Sequence, residues 1–152
     1  MNKLEVLGML REIIDDARTA VLATVDGNGA PHTRWVTPAL LDSCPGSIYM
    51  ITSPHFTKVN HVENNPLVEW LFQTRSLTKI VNVQGRIMVR TNTALRSEVL
   101  EELAPALRTF WKVNTDKHEL VVLETVISEA SVFLPTDGIK EKVSFATEKD
   151  HG

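Results

Sequence analysis

A chain of 152 residues, 43% hydrophobic and 23% charged, can bury a sizeable core and is too apolar for wholesale disorder. Its net charge of −3 does not favour a general nucleic-acid binder, which carries a basic surface. A single cysteine, Cys44, excludes an intramolecular disulfide, and no apolar run approaches the ~20 residues of a membrane-spanning helix.

In chain order, Leu4, Leu7, Leu10, Ile14 and Ala17 recur at helical spacing and predict a helix over 3–17 with one buried face. This start is acidic and amphipathic rather than a signal peptide, so the chain reads as cytoplasmic. Residues 19–25 read as a strand, Asp26-Gly27-Asn28-Gly29 as a tight hairpin turn and 31–41 as the return strand. A turn over 43–47 precedes a third strand over 48–52. Ser53-Pro54 then opens a helix carrying Phe56, Val59 and Val62, which Asn64-Asn65-Pro66 ends. Strands follow over 67–72 and 81–89. The second alternates apolar and polar residues throughout, with Gly85 at its middle marking a bulge or bend. Leu95, Val99 and Leu103 predict a helix over 93–103, with a short one over 105–111. A strand over 119–127 and a short one over 132–134 complete about six strands; residues 1–145 form one domain and 146–152 a frayed tail. Strands arranged as hairpins, without βαβ alternation, argue for a mainly β fold: an antiparallel sheet closed into a small barrel with helices on its outside.

The start of the second helix invites an anion. First-turn amides lack intrahelical partners, and the helix dipole adds only about 0.3–1 kcal/mol at an exposed site. Tight binding needs formal charge, which Lys58 and Arg34 can supply, with Thr57 as a further donor. Equally, Lys58 reads as a solvated lysine and Arg34 as the partner of a carboxylate. No Walker A or GxGxxG pattern is present, the five histidines show no HExxH spacing, and no GxSxG elbow marks a hydrolase. Trp70 reads as core. Trp35 and Trp111 read first as packing residues and second as cover for an aromatic ligand.

Three segments in order carry a resemblance: TAVLATVDGNGAPHTRWV, YMITSPHFTKVNHVENNPLVEWLF and VNVQGRIMV. Together they resemble the FMN-binding split barrels related to pyridoxamine 5′-phosphate oxidase, and most closely the short general stress protein 26 type. The resemblance implies a split β-barrel, a homodimer and FMN at the subunit interface. It places Arg34, Trp35, Val36 and Thr37 along the flavin, with backbone groups of Val36 and Thr37 at the isoalloxazine edge. Ile51, Thr52 and Ser53 form the next flavin segment, and Arg34 with Lys58 holds the phosphate. Ala39 stands where the oxidases have lysine, Thr57 where they have arginine and Ile80 where they have a flavin-contacting glutamine. The oxidases' arginine-rich C-terminal stretch is not matched after Leu134. The implied function is that of an FMN-dependent oxidoreductase without a named substrate, rather than a true pyridoxamine oxidase. A non-catalytic flavin module, or a split barrel for haem or a deazaflavin, stands as the alternative.

Overall fold

The computed structural model describes residues 1–53, 57–104 and 120–146, with the backbone alone for 57–59. Helix α1 (Lys3–Ala17) leads into strands β1 (Ala20–Val25), β2 (Pro31–Val36) and β3 (Ser47–Thr52). Helix α2 (Thr57–Asn64), strands β4 (Leu67–Gln73) and β5 (Ile80–Arg90) and helix α3 (Thr93–Leu103) follow. Strands β6 (Val121–Leu134) and β7 (Ile139–Ser144) complete the described elements. The proline start of the second helix, the short helix over 105–111 and the tail from 147 lie outside the described residues.

All strand pairs are antiparallel, in the order β2-β1-β4-β5-β6-β3, with β7 also on β6. The expected split β-barrel is present, with two corrections. Among the described residues there are seven strands rather than six, and the sheet does not close, because β2 and β3 end the hydrogen-bonded path. Pro38 has no N–H to donate, so β2 stops at Val36 instead of running to Leu41. The chain then crosses to β3, where Ala39 and Tyr49 exchange two 2.8 Å backbone bonds.

β6 is one strand where the sequence predicts two. Its first half pairs with β3 and its second with β7, and the change of neighbour falls at a bulge. There the register with β5 shifts between Gln84 and Gly85, as the central glycine predicts. A Cβ on Gly85 would stand 2.4 Å from the Val126 carbonyl oxygen, so only glycine lets the strands meet at this point.

The main core gathers the inner faces of the sheet: Leu22, Ile48, Met50, Trp70, Phe72 and Val83 among others. Trp70 is fully buried and donates Nε1–H to the Thr125 hydroxyl at 3.0 Å. Helix α1 adds Val6, Leu10 and Ile13 to this same core, so it packs into the concave side rather than outside the barrel. Its buried stripe is turned from the predicted one, and Leu4 is 77% exposed. Val62 brings α2 into the core as well. Among the described helices only α3 sits on the outer face, where Val99 and Leu103 cover Ala39, Leu41, Tyr49 and Val122.

Candidate functional site

The β1–β2 hairpin sets up the site. Asp26 ties its turn: its backbone N–H donates to the Ala30 carbonyl at 3.0 Å, and Gly29 occupies the left-handed region at φ 84°. Directly paired residues share a face of a sheet. Val36, Arg34 and His32 pair with Ala20, Leu22 and Thr24, all three of them buried, so these residues of β2 face inward. Trp35 pairs with Val21 on the other face and is 81% exposed. Within this chain it is therefore not a packing residue.

Arg34 is half-buried and donates one long hydrogen bond, 3.4 Å, to the Leu22 carbonyl. Burial lowers its pKa from the ordinary value, although a guanidinium remains charged. Among the described residues no carboxylate pairs with it; the expected alternative of a salt-bridged Arg34 is not found. A partly desolvated guanidinium without a counter-charge is poised for an anion.

At the other end of the sheet path, β3 sends successive side chains to opposite sides. Thr52 points inward and is 2% exposed, and its Oγ1 has no hydrogen-bond partner among the described residues. Buried hydroxyls are ordinarily paired, so this atom is a second polar group awaiting a partner. Ile51 points outward and packs with the α3 cluster, which separates it from Thr52. Ser53 is half-buried at the strand end. Val36 is buried, and Thr37 with Pro38 and Ala39 borders a cleft of about 220 Å³ shared with Arg11, Arg18 and Glu102. Thr57 and Lys58 occupy the first turn of α2, their side chains outside the described residues, as is Trp111.

Helix α2 docks on the hairpin through His61. Its Nδ1 lies 3.1 Å from Thr24 Oγ1, and its ring meets that of His32 with centroids 4.8 Å apart. His32 Nε2 in turn lies 2.8 Å from Asp26 Oδ2. Sequence reasoning passed over this chain of groups, because it looked for metal spacing along one segment. The readable signal was alternation: His32 stands two residues before Arg34, hence on the same strand face.

A second buried polar cluster also escaped the sequence reading. Glu124, 6% exposed, accepts from Ser47 Oγ at 2.8 Å, Tyr49 Oη at 3.0 Å and Arg90 Nε at 2.8 Å. Burial alone would raise the Glu124 pKa, but these three bonds outweigh it and hold the carboxyl below its usual value. Burial, with Cys44 and Glu124 beside it, pushes the Tyr49 hydroxyl above its ordinary range. Cys44 Sγ stands 4.0 Å from Glu124 Oε2. The cluster lies on the α3 side, away from the inward face of Arg34, and ties β3, β5 and β6 together. Among the described residues no group of three or more metal-ligating side chains occurs, and no helix is long and apolar enough to cross a membrane.

The sequence profile described as pyridoxamine 5′-phosphate oxidase matches residues 8–131. No curated protein matches the chain. Among solved structures, general stress protein 26 from Bacillus anthracis str. Sterne is similar at 21% identity and TM-score 0.69, covering 91% of this chain and 98% of that one. A pyridoxamine 5′-phosphate oxidase-related, FMN-binding protein from Nostoc punctiforme is 13% identical at TM-score 0.63, covering 92% and 96%. A heme binding protein from Mycobacterium smegmatis is 16% identical at TM-score 0.69, covering 89% of this chain and 56% of that one. At these identities the three structures speak to the fold.

Proposed function

The chain belongs to the pyridoxamine 5′-phosphate oxidase family, and from that premise we propose that it binds FMN and works as a flavin-dependent oxidoreductase, a cytoplasmic homodimer. The observation that carries the reading is Arg34, a half-buried guanidinium without a carboxylate partner among the described residues. FMN presents a phosphate of roughly −1.5 to −2 charges at neutral pH, which such a group can hold in a fork of two parallel hydrogen bonds. Thr52 Oγ1, buried and unpaired, supplies a donor to the same ligand. The first-turn amides of α2, and Lys58 in that turn, would add positive charge. Thr37 and the backbone around Val36 would line the flavin ring, with Ser53 and the backbone of Ile51 at the end of β3.

When bound, the flavin supplies the hydride and electron chemistry; the residues named here bind it, orient it and exclude water. A second copy of the chain completes the pocket. Trp35 and Leu67, 81% and 55% exposed on the outer face of the sheet, are the large apolar side chains that this copy covers. A stable interface of this kind buries more than about 1,200 Å² in total. Trp111, which lies outside the described residues, is the further candidate to cover the ring. Ala39, Ile80 and the C-terminal sequence depart from the vitamin oxidases, and the substrate is accordingly another small molecule.

The absorption spectrum of the purified protein, with mass measurement of the released ligand, tests the assignment. Paired flavin bands and the mass of FMN are expected. A Soret band would assign the pocket to haem, and the mass of a deazaflavin would replace FMN.

A further inference from the structure

Where α2 docks on the hairpin, two imidazoles meet, His32 of β2 and His61 of α2, and the FMN reading leaves both without a task. Asp26 Oδ1 accepts the backbone N–H groups of Asn28 at 2.9 Å and Ala30 at 3.0 Å, which leaves Oδ2 aimed at His32 Nε2. The His32 bond first, then these backbone bonds, hold the Asp26 pKa down at about 2. The carboxylate is therefore ionised throughout the range in which histidines change charge. A carboxylate on one ring nitrogen fixes the imidazole and directs the other nitrogen elsewhere. His61 is fixed in the same manner by Thr24, and it is 9% exposed. His32 Nδ1 and His61 Nε2 have no hydrogen-bond partner among the described residues.

His32 stands near Arg34 on the same strand, and His61 meets His32 from α2. His32 and Arg34 share the inner face of β2 two residues apart, about 6.6 Å along a strand. Lys58 stands three residues before His61 in α2. The charged groups around the pair are few. β2 brings Arg34 and the turn brings Asp26, while the inward residues of β1 (Ala20, Leu22, Thr24) and of β5 (Val83, Gly85, Ile87) do not titrate. On α2 itself Glu63 is exposed. Asp26 thus brings a negative charge to His32 and Arg34 a positive one two residues away.

We propose that His32 and His61 complete the phosphate subsite beside Arg34, supplying cationic contacts of their own, so that this chain takes up protons when it binds a phosphomonoester. The inference rests on the FMN reading and names the side chains that make it specific to this sequence.

The test is equilibrium titration of FMN and of riboflavin at pH 6.5 and pH 8.5, on the parent protein, His32→Gln and Asp26→Asn. Glutamine at 32 keeps a donor for Asp26, and asparagine at 26 keeps the carbonyl acceptor for the turn, so both variants fold; melting curves verify this. The parent should bind FMN about tenfold more tightly at pH 6.5 than at pH 8.5, the scale of one hydrogen bond to a charged group. Riboflavin should show no such gain. Protonation of the phosphate itself, with a pKa near about 6, acts in the opposite direction and cannot produce the effect. His32→Gln should lose most of this gain, with His61 keeping the remainder, and Asp26→Asn should reduce it. A His32→Gln variant that keeps the parent's pH dependence overturns the inference, as does a parent that shows none. If Arg34→Met loses FMN while either of those results holds, the imidazole pair is excluded and the FMN reading stands. Equal affinity of the parent for FMN and riboflavin removes both.

Discussion

Replacing Arg34 with methionine separates binding from stability. In the ligand-free chain this guanidinium is half-buried, makes one 3.4 Å bond to a carbonyl and has no carboxylate partner among the described residues. That one long bond compensates little of its desolvation, and its aliphatic stem stands on the inner face opposite Leu22. Methionine keeps most of that apolar volume and removes the charge. The ligand-free variant should be as stable as the parent or more so, by up to about 1 kcal/mol, a gain of about 2–4 °C in Tm for a chain of this length. FMN binding should move the other way. Truncating one partner of a hydrogen-bonded charge pair costs about 2–5 kcal/mol, so the dissociation constant should rise 30-fold or more. Riboflavin, which lacks the phosphate, should bind both proteins alike. Flavin fluorescence titration reads the affinities and thermal unfolding reads the stability. If Arg34→Met binds FMN as tightly as the parent, Arg34 is not a phosphate ligand. If it loses several degrees without ligand, Arg34 is a structural residue whose partner lies elsewhere.

FMN at 100 times its dissociation constant should stabilise the protein by about 2.7 kcal/mol, with riboflavin at the same concentration doing much less; melting curves decide this. Gly85→Ala should cost about 1–3 kcal/mol in a denaturant titration, because its Cβ would meet the Val126 carbonyl at 2.4 Å and the strand would have to shift. Glu124→Gln removes a charge that Arg90, Ser47 and Tyr49 bind, and should lower stability at pH 7 by about 1–3 kcal/mol. Since the folded pKa of Glu124 lies below its ordinary value, its contribution is complete above about pH 4.3 and is lost as pH falls through the lowered value. The parent's Tm should therefore fall more steeply than that of Glu124→Gln in that acidic window. Trp35→Glu should shift the protein toward monomer in light scattering while leaving the monomer folded, since the indole is 81% exposed within one chain.

What the sequence made legible were features that depend on local pattern. The alternation in β5, the hairpin at Asp26 and the bulge at Gly85 each follow from a few adjacent residues. The helix limits of α1 follow from spacing too, yet its buried face does not. Both Leu7-Leu10-Ile14 and Val6-Leu10-Ile13 fit a helical stripe, and only the sheet above decides that Val6 is buried and Leu4 is not. Strand β7 was missed because Ile139–Ser144 exposes every side chain except Val143, so it carries no apolar alternation. Its signal was the turn before it, where Gly138 takes a φ of 65°. Strand β6 was broken in two because the polar run Ser128-Glu129 falls at the bulge. In the candidate site, Arg34 could be picked out as a cation on a strand. The Asp26–His32–His61–Thr24 chain could not, because it joins a turn, two strands and a helix 37 residues apart in sequence.

The most direct test of the account is the ratio of FMN to riboflavin affinity in the parent protein, measured by equilibrium titration at pH 7 and moderate salt. A phosphate held by Arg34, Thr52 and the start of α2 predicts that FMN binds 30-fold or more tightly than riboflavin, the scale of one desolvated charge pair. Equal affinities, or binding of neither flavin, would contradict it.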